Sequence, residues 1–319
     1  MSVKLHSNLL YLAILVIVFI GIFSLNYDFN IKGSNTIDYR LVTTNKIVSA
    51  PNDEIMTVIN NNILDKKNNV LLTAVANSGM SNYTLNWIES LKRCNITKFV
   101  LFAIDESLFQ TLSNAGYQNN VVMIPKDWFH TPISNKLISW NNLGKYLPIT
   151  HSKSLVIEHL LYLDITVWFS DVDIVFTSPN IYDYLIHKLN VRKSTHALFQ
   201  QRGIKDNNDI NSGFFIMKPT NLTKYIISES ILIQDDSENA RKNKITQQRA
   251  INQVIESLNI DFYTSPLVML EMELFPVGNV YFDQNIPMKY GFSPLMVHGN
   301  FRNGDDKEIA LKEAGLWYI

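Results

Sequence analysis

Two carboxylates interrupt an apolar stretch of the chain at a spacing that suits a metal ion. Asp171 and Asp173 lie in the run VWFSDVDIVF, which spans residues 167–176. Period-2 spacing puts both side chains on one side of an extended chain. Two like charges in apolar surroundings are costly unless a cation or hydrogen-bond donors compensate them. Because hard cations prefer oxygen ligands, this stretch predicts a divalent metal site whose shell a nucleotide diphosphate would complete.

A second polar segment near the end of the sequence has residues suited to metal and phosphate. An apolar run ends at His298, and Gly304 and Lys307 follow it in a G-x-x-K arrangement. Imidazole suits borderline metals such as manganese, and lysine neutralises phosphate as a point charge. Glycine lets the backbone approach a phosphate group. Taken alone, His298 would more often be a hydrogen-bonded core or loop histidine, so its interpretation as a ligand depends on the acidic motif.

Two further polar motifs lie between these segments. Asn211, Ser212 and Gly213 form a predicted turn that runs directly into an apolar strand, and Gly213 permits the close approach of a ligand. An ordinary tight turn before a strand is the alternative. Further along, i, i+4 spacing puts Gln248 and Asn252 on one face of a predicted helix. By itself that pattern indicates only a polar helix face.

The elements that must position these residues alternate between apolar strands and amphipathic helices. Strands separated by helices imply an α/β fold, with a mostly parallel sheet and helices on both faces. Such sheets bind ligands beyond the carboxyl ends of their strands, where the polar motifs fall. We therefore expect one domain over residues 69–319. Its first elements are strands at 70–76, 98–104 and 121–124 and helices at 81–93 and 106–115, and a last helix lies within 305–317.

The N-terminal segment predicts a membrane anchor. Residues 9–25 contain no charged side chain and lie at the short end of the roughly 17–25 residues that span a bilayer. Lys4 precedes the segment and Asp28 follows it, which favours a cytoplasmic tail at residues 1–8 and a luminal remainder. Residues 26–68 are polar and predict a flexible stem with a short helix near residues 54–64. A cleaved signal peptide is the alternative.

Composition and modification signals fit this organisation. The 319 residues are 46% hydrophobic and 18% charged with a net charge of −1, so no global field draws the chain to nucleic acid. The single cysteine, Cys94, excludes an intrachain disulfide and a cysteine-based zinc site. Glycosylation sequons begin at Asn82, Asn95 and Asn221, in agreement with a luminal domain.

In this order, the four motifs resemble the nucleotide-diphospho-sugar transferases of glycosyltransferase family 77. That family includes plant cell-wall xylosyl- and arabinosyltransferases and related galactosyltransferases, and the resemblance covers roughly residues 70–319. It implies the Rossmann-like GT-A fold, a type II anchor in the Golgi or ER membrane and dependence on Mn²⁺. It also implies a UDP-sugar donor, a glycan or glycoprotein acceptor and retention of the anomeric configuration.

The resemblance gives expected roles to the metal and nucleotide residues. Asp173 and His298 are expected to bind the metal directly, while Asp171 contacts the ribose and reaches the metal through water. Asp105, after the second strand, is expected to reach the uracil. Gly304 and Lys307 are expected at the diphosphate. Four residues at the end of the first strand are expected to cradle the nucleoside: Thr73, Ala74, Val75 and Asn77.

The resemblance also assigns residues to the donor sugar. Lys153 is expected near the sugar or the diphosphate, with a solvated helix lysine as the alternative. Gln248 is expected beneath the reacting carbon, and because it is a weak nucleophile we favour front-side attack with the acceptor hydroxyl deprotonated by the departing phosphate. Three residues are expected to line the donor sugar: Asn211, Ser212 and Gly213.

The chain departs from the family at one of these positions, and several alternatives stay open. The family usually has Asp-Gln where this chain has Gln247 and Gln248, and an amide with one acceptor oxygen does not match a carboxylate that accepts two hydroxyl bonds. Galactose, xylose and arabinose all remain candidate sugars. A catalytically inactive luminal binding protein and a metal-dependent phosphohydrolase or nucleotidyltransferase are the rival classes. Trp128, Trp140 and Tyr146 would stack on an acceptor sugar or belong to the core.

Overall fold

The computed structural model describes residues 38–44, 46–130, 143–204, 209–260, 266–302 and 304–319. Tyr39–Ile319 forms one compact unit. Within the described residues, no helix combines the length and apolar character needed to cross a bilayer. The expected tail and anchor at residues 1–25, together with the start of the expected stem, lie outside the described part of the chain.

The centre of the unit is a seven-stranded sheet with the order β3-β2-β1-β4-β7-β6-β8. Strands β3, β2, β1 and β4 run parallel, β7 runs antiparallel to both of its neighbours, and β8 runs parallel to β6. The mostly parallel α/β sheet expected from the sequence is therefore confirmed. The strands are β1 (Val70–Ala76), β2 (Val100–Ala103), β3 (Val121–Met123), β4 (Thr166–Ser170), β6 (Ala197–Gln201), β7 (Ile210–Met217) and β8 (Leu267–Met269).

A separate two-stranded sheet lies immediately after the acidic motif. It pairs β5 (Ile174–Phe176) with β9 (Met296–His298) in antiparallel orientation. The register places Ile174 opposite His298, so the histidine is beside the residue that follows Asp173. This pairing joins two motifs that are more than a hundred residues apart in the sequence.

Helices cover both faces of the large sheet, as predicted. Buried side chains of α4, α6 and α8 pack in one apolar cluster, and those of α2, α3 and α5 pack in another. Strand β1 supplies both clusters in alternation, since Leu71 and Val75 belong to the first and Leu72 and Ala74 to the second. The helices are α1 (Asp53–Asn61), α2 (Ser81–Arg93), α3 (Glu106–Leu112), α4 (Leu143–Tyr162), α5 (Ile181–Val191), α6 (Asn221–Asp235), α7 (Ser237–Asn243), α8 (Gln247–Ser257), α9 (Ile286–Tyr290) and α10 (Asp305–Glu313).

The predicted elements agree with these bounds to within four residues, and β2, β3, α3 and α10 are each shorter than predicted. The α3 helix stops at Leu112, before the predicted residue 115, and a wider turn follows at Ser113–Tyr117. Gly116 within this turn has a φ of 92°, which is incompatible with a continuing right-handed helix.

The compact unit begins before the expected domain boundary at residue 69. Helix α1 lies within the expected stem, yet Ile55 and Ile59 on its apolar face are buried in the core. Asn52 caps the helix by accepting a 2.9 Å hydrogen bond from the backbone of Ile55. Upstream, Lys46 donates 2.8 Å hydrogen bonds to both carboxylate oxygens of the buried Glu158. The described part of the expected stem is therefore part of the domain, because it carries its own buried apolar face.

Candidate active site

A tight turn between β4 and β5 holds the two aspartates together. Asp171 follows β4 directly, and the backbone N–H of Ile174 donates to the carbonyl of Asp171 at 3.3 Å. The expected extended conformation across Asp171 and Asp173 is therefore wrong, and a turn brings the carboxylates together instead. Ligand atoms of Asp171, Asp173 and His298 all lie within 4.8 Å of one another.

Each aspartate forms an ion pair with a lysine. Lys153 Nζ lies 2.5 Å from Asp171 Oδ1, and Lys307 Nζ lies 2.5 Å from Asp173 Oδ2. Burial would raise the pKa of Asp173, but the charges of Lys307 and His298 outweigh it and hold this pKa well below 3.8. Burial would lower the pKa of Lys153, yet the charge of Asp171 raises it above 10.5. The ion pairs therefore keep Asp173 and Lys153 in their charged forms at neutral pH.

His298 is held from two sides. Its Nε2 lies 3.3 Å from Asp173 Oδ1, and its Nδ1 lies 2.8 Å from Gln200 Oε1. The Nε2 of Gln200 donates to the carbonyl of Phe275 at 3.0 Å. Gln200 was not identified from the sequence, where the only signal is a glutamine at the end of a short apolar strand. It is fully buried on β6.

A bulge in β7 brings small residues to the aspartates. Phe199 of β6 is opposite Phe215, but Gln200 is opposite Asn211, so residues 212–214 have no partner on β6. The predicted turn at Asn211–Gly213 is therefore wrong, and these residues form an irregular segment inside the strand. A Cβ atom on Gly213 would lie 2.5 Å from His298 Cε1 and 2.9 Å from Asp171 Oδ2, which leaves room for glycine alone.

Helix α8 places Gln248 against this bulge. Gln248 Oε1 accepts a 3.4 Å hydrogen bond from the backbone of Ser212. Asn252 accepts from the N–H of Ile210 at 2.9 Å and donates to its carbonyl at 3.1 Å, so its amide fastens α8 to the start of β7. The shared face predicted for Gln248 and Asn252 is confirmed. The preceding Gln247 is buried, and its Nε2 makes no hydrogen bond to a described residue.

Three residues expected at the nucleoside are instead interior residues of β1. Thr73 and Ala74 have no exposed surface, and Val75 is 3% exposed. The hydroxyl of Thr73 donates to the carbonyl of Val100 at 2.8 Å, within the sheet. A parallel strand covered on both faces buries its residues almost to the last one. Asn77, which follows β1, is also only 3% exposed, so the contact of these four residues with a nucleoside stays a prediction.

Asp105 connects the loops that follow β1 and β2. One carboxylate oxygen accepts from the backbone of Leu108 at 2.9 Å and so caps α3. The other accepts from the backbone of Ser78 at 2.8 Å. The carboxylate therefore shapes this edge of the sheet, and its expected contact with uracil stays a prediction.

The last helix supplies Lys307 and is held by an aromatic residue that sequence reasoning missed. Gly304 precedes α10 with a φ of 52°, and the hydroxyl of Tyr83 donates to its carbonyl at 3.3 Å. Lys307 Nζ lies 5.7 Å from the centre of the Tyr83 ring. Burial and the negative charge of Glu308 raise the pKa of Tyr83 to about 12, so it remains a neutral donor.

The aromatic residues considered for the acceptor separate into different environments. Trp128 is buried and stacks on His159 with ring centres 3.6 Å apart, so it belongs to the core. Trp140 lies outside the described residues. Burial and the charge of Asp171 raise the pKa of Tyr146 above 10 while the charge of Lys153 opposes them. Of the two described aromatic residues, Tyr146 is therefore the one near the Lys153–Asp171 ion pair.

The residues around Gly213 fit a divalent cation. Two carboxylates and one imidazole converge, and the missing side chain of Gly213 keeps the space between Asp171 and His298 open. Oxygen ligands suit hard cations and imidazole suits borderline ones, so the set could hold a divalent metal ion. Two lysines beside the same atoms supply positive charge for an anionic ligand.

Known proteins share this sequence and fold to different extents. A UDP-galactose:fucoside alpha-3-galactosyltransferase of Dictyostelium discoideum is 24% identical over 297 residues, which cover 79% of this chain and 44% of that protein. The chain thus spans less than half of this relative. The galactosyltransferase LgtC, solved in complex with donor and acceptor sugar analogs, has a TM-score of 0.46 at 14% identity and covers 78% of this chain and 96% of its own. Mouse xyloside xylosyltransferase 1, in its apo form, has a TM-score of 0.42 at 10% identity, and the match covers 73% of this chain and 98% of the mouse chain.

The family assignment comes from a match to most of the domain. The family described as nucleotide-diphospho-sugar transferase matches residues 94–311, about two thirds of the chain. The matched region includes both aspartates, the β7 bulge, the α8 amides and Lys307. With its α/β sheet and this cluster of ligands, the chain belongs to the nucleotide-diphospho-sugar transferase family.

Proposed function

We propose that this protein is a metal-dependent retaining glycosyltransferase that moves a sugar from a UDP-sugar to a glycan or glycoprotein acceptor. The observation that carries the proposal is the convergence of Asp171, Asp173 and His298 within 4.8 Å, with a lysine paired to each aspartate. Neither rival class explains this arrangement as well. A phosphohydrolase or nucleotidyltransferase would typically use more acidic ligands, and an inactive protein of this fold would be expected to have lost metal or donor ligands.

Asp173 and His298 would hold the cation directly, and Asp171 would contact it through water and bind the ribose. When bound, Mn²⁺ would act as a Lewis acid on the diphosphate, a contribution worth several kcal/mol. The donor set and the open space at Gly213 support this assignment.

The lysines and the last helix would bind the diphosphate. Lys307 lies in the first turn of α10, where three acidic side chains offset the positive end of the helix dipole, so the lysine ammonium is the group that would attract the diphosphate. Lys153 reaches the same cluster from α4, on the Asp171 side. Together they would neutralise the charge that develops on the leaving group, which stabilises the transition state.

Gln248 would lie beneath the donor sugar. Its bond to Ser212 and the Asn252–Ile210 pair position it at the bulge with Asn211 and Gly213. Because the segment 247–252 contains no carboxylate, front-side attack is the favoured mechanism. The acceptor oxygen bonds to the anomeric carbon as the bond to the diphosphate breaks. The hydroxyl proton passes to the departing phosphate oxygen.

The similarity to a galactosyltransferase makes galactose the first donor sugar to test, with xylose and arabinose next. Gln247 replaces an acidic residue expected to bind sugar hydroxyls, and this change would tune donor choice. The uncharged segment at residues 9–25 supports a Golgi or ER membrane location with the domain in the lumen.

The test is release of UDP from a panel of UDP-sugars by the full chain, with Mn²⁺ or with a chelator. We expect turnover of one donor that requires Mn²⁺ and is abolished by Asp173→Asn. Asp183→Asn makes the same change on the exposed face of α5 and should retain full activity. Turnover in the chelator, or by Asp173→Asn, would contradict the metal mechanism. Donor binding without turnover for any acceptor would favour the inactive binding protein.

A further inference from the structure

A second cluster of potential ligands lies away from the aspartates. It consists of His130, which follows the short turn Lys126–Trp128, His151 on α4 and Asp235, the last residue of α6. Their ligand atoms all lie within 4.8 Å of one another. His130 Nδ1 is 2.8 Å from Asp235 Oδ1, and His151 Nε2 is 3.3 Å from the same oxygen.

The separations match the requirements of a small tetrahedral ion. Bonds of about 2.0–2.1 Å to nitrogen and oxygen place neighbouring tetrahedral ligands about 3.3 Å apart. His151 Nε2 lies at that distance from Asp235 Oδ1, at 3.3 Å, whereas His130 Nδ1 is hydrogen-bonded to the same oxygen at 2.8 Å and would have to move away by about 0.5 Å. A metal ion therefore needs only small side-chain movements to be coordinated by all three.

His151 provides an independent indication of a ligand. The residue is 5% exposed, and its Nε2, although 3.3 Å from Asp235 Oδ1, is not aligned for a hydrogen bond to it and makes none to any described residue. A buried polar atom without a hydrogen bond is costly, and coordination would satisfy it. The other two residues are open to solvent, which gives an ion a path of entry.

We propose that His130, His151 and Asp235 bind a divalent transition-metal ion of the Zn²⁺ class, with water as the fourth ligand. Two imidazoles and one carboxylate favour zinc, whereas the two carboxylates and one imidazole of the first cluster are harder and suit Mn²⁺. The inference does not depend on the proposed transferase activity.

The position of His151 on α4 separates this site from the first cluster. His151 and Lys153 are two residues apart on α4, about 200° around the helix, and so face opposite sides. The second ion would therefore lie away from the sugar-transfer chemistry and would connect the 126–130 segment to α4 and α6.

The test uses the full chain without a polyhistidine tag, purified in detergent because of its apolar residues 9–25. Asp173→Asn serves as the parent, since it removes the central carboxylate of the first cluster. We expect this parent to bind one equivalent of Co²⁺ with the visible absorption of tetrahedral cobalt, and Zn²⁺ to displace it. Adding His130→Ala should abolish the absorption. His187→Ala, an exposed histidine on α5, should leave it unchanged.

Thermal unfolding gives a second readout that does not depend on spectra. Zn²⁺ should raise the Tm of the parent, and this rise should disappear in His130→Ala and in Asp235→Asn. Both changes are at solvent-accessible side chains, and circular dichroism would verify that the variants fold. The proposal would be overturned if parent and variants bound Co²⁺ equally and showed the same Zn²⁺-dependent rise in Tm. It would also be overturned if the parent showed neither effect.

Discussion

Gln200 Oε1 and His298 Nδ1 are joined by a 2.8 Å hydrogen bond whose direction is fixed by a third group. Because Gln200 Nε2 donates to the carbonyl of Phe275, the oxygen of the amide must face the imidazole. Nδ1 of His298 must then carry the proton. Nε2, which faces Asp173, is then the nitrogen that a metal ion would take, and a proton on Nδ1 is what that coordination needs.

Replacing Gln200 should weaken metal binding without removing a ligand. Gln200→Leu leaves the His298 ring without its orienting acceptor, and loss of such partners typically costs about 10–100-fold in metal affinity. The measurement is the Mn²⁺ concentration that gives half-maximal UDP release. Gln201→Leu is the matched control, since that amide donates to the carbonyl of Leu270 instead. Equal Mn²⁺ dependence in both variants would show that Gln200 has only a packing role.

A single methyl group at Gly213 should disable the site. The Cβ of Gly213→Ala would lie 2.5 Å from His298 Cε1 and 2.9 Å from Asp171 Oδ2, so the ligands must separate. We expect at least a 100-fold loss of donor turnover in a folded protein, because a displacement of about 1 Å can cost that much. Gly203→Ala, whose Cβ would meet Asn279 at an ordinary 3.7 Å, should keep its activity. Near-normal turnover by Gly213→Ala would contradict the arrangement.

The position of α1 in the core has a consequence for stability. Ile59 has no exposed surface, so Ile59→Ala should lower the free energy of unfolding by about 2–5 kcal/mol. Ile47, which is 95% exposed, provides the same substitution on the surface, where we expect less than about 0.5 kcal/mol. Urea unfolding compares the two. A small effect at Ile59 would show that α1 does not contribute to the core and would support the flexible stem expected from the sequence.

Stability should fall in mild acid in part because of His159. Burial against Trp128 lowers the pKa of His159 below 6.5 in the folded chain. As the pH falls below 6.5, the unfolded chain takes up a proton that the folded chain resists, so the free energy of unfolding decreases. Above pH 6.5 this contribution is constant. Urea unfolding at pH 7 and pH 5 with EDTA should show a smaller decrease for His159→Phe than for the unsubstituted chain, and an identical decrease would refute the assignment.

The sequence predicted those elements and site residues whose structure depends mainly on neighbouring residues in the chain. The strand Val70–Ala76 agrees with its predicted range because a run of seven mostly apolar residues between polar ones is the length of a buried strand and too short for a typical helix. Both aspartates, His298 and Lys307 were predicted as one site, and the structure brings them together. Charged residues inside apolar runs can be identified as site residues from the sequence, because a buried charge requires a counter-charge, hydrogen-bond donors or a metal ion.

Features that depend on distant pairing were not predictable. The β7 bulge exists because β6 pairs with both ends of the strand and omits residues 212–214, and nothing local in Asn211–Gly213 distinguishes it from a turn. Gln200 acquires its role only when β9 brings His298 beside it. The burial of Thr73 and Val75 was not predictable either, because the depth to which β1 is covered depends on helices elsewhere in the sequence.

The two lysine–aspartate pairs make binding at the site cooperative. Lys153 and Lys307 already compensate Asp171 and Asp173, so a divalent cation arriving alone must displace ammonium groups and leaves an excess of positive charge. A diphosphate removes that excess and gives both ammonium groups new oxygen partners. Cation and nucleotide should therefore each raise the affinity of the other, and by linkage the factor is the same in both directions. If the proposed function holds, the ion would be held weakly between turnovers and tightly only while the donor is bound.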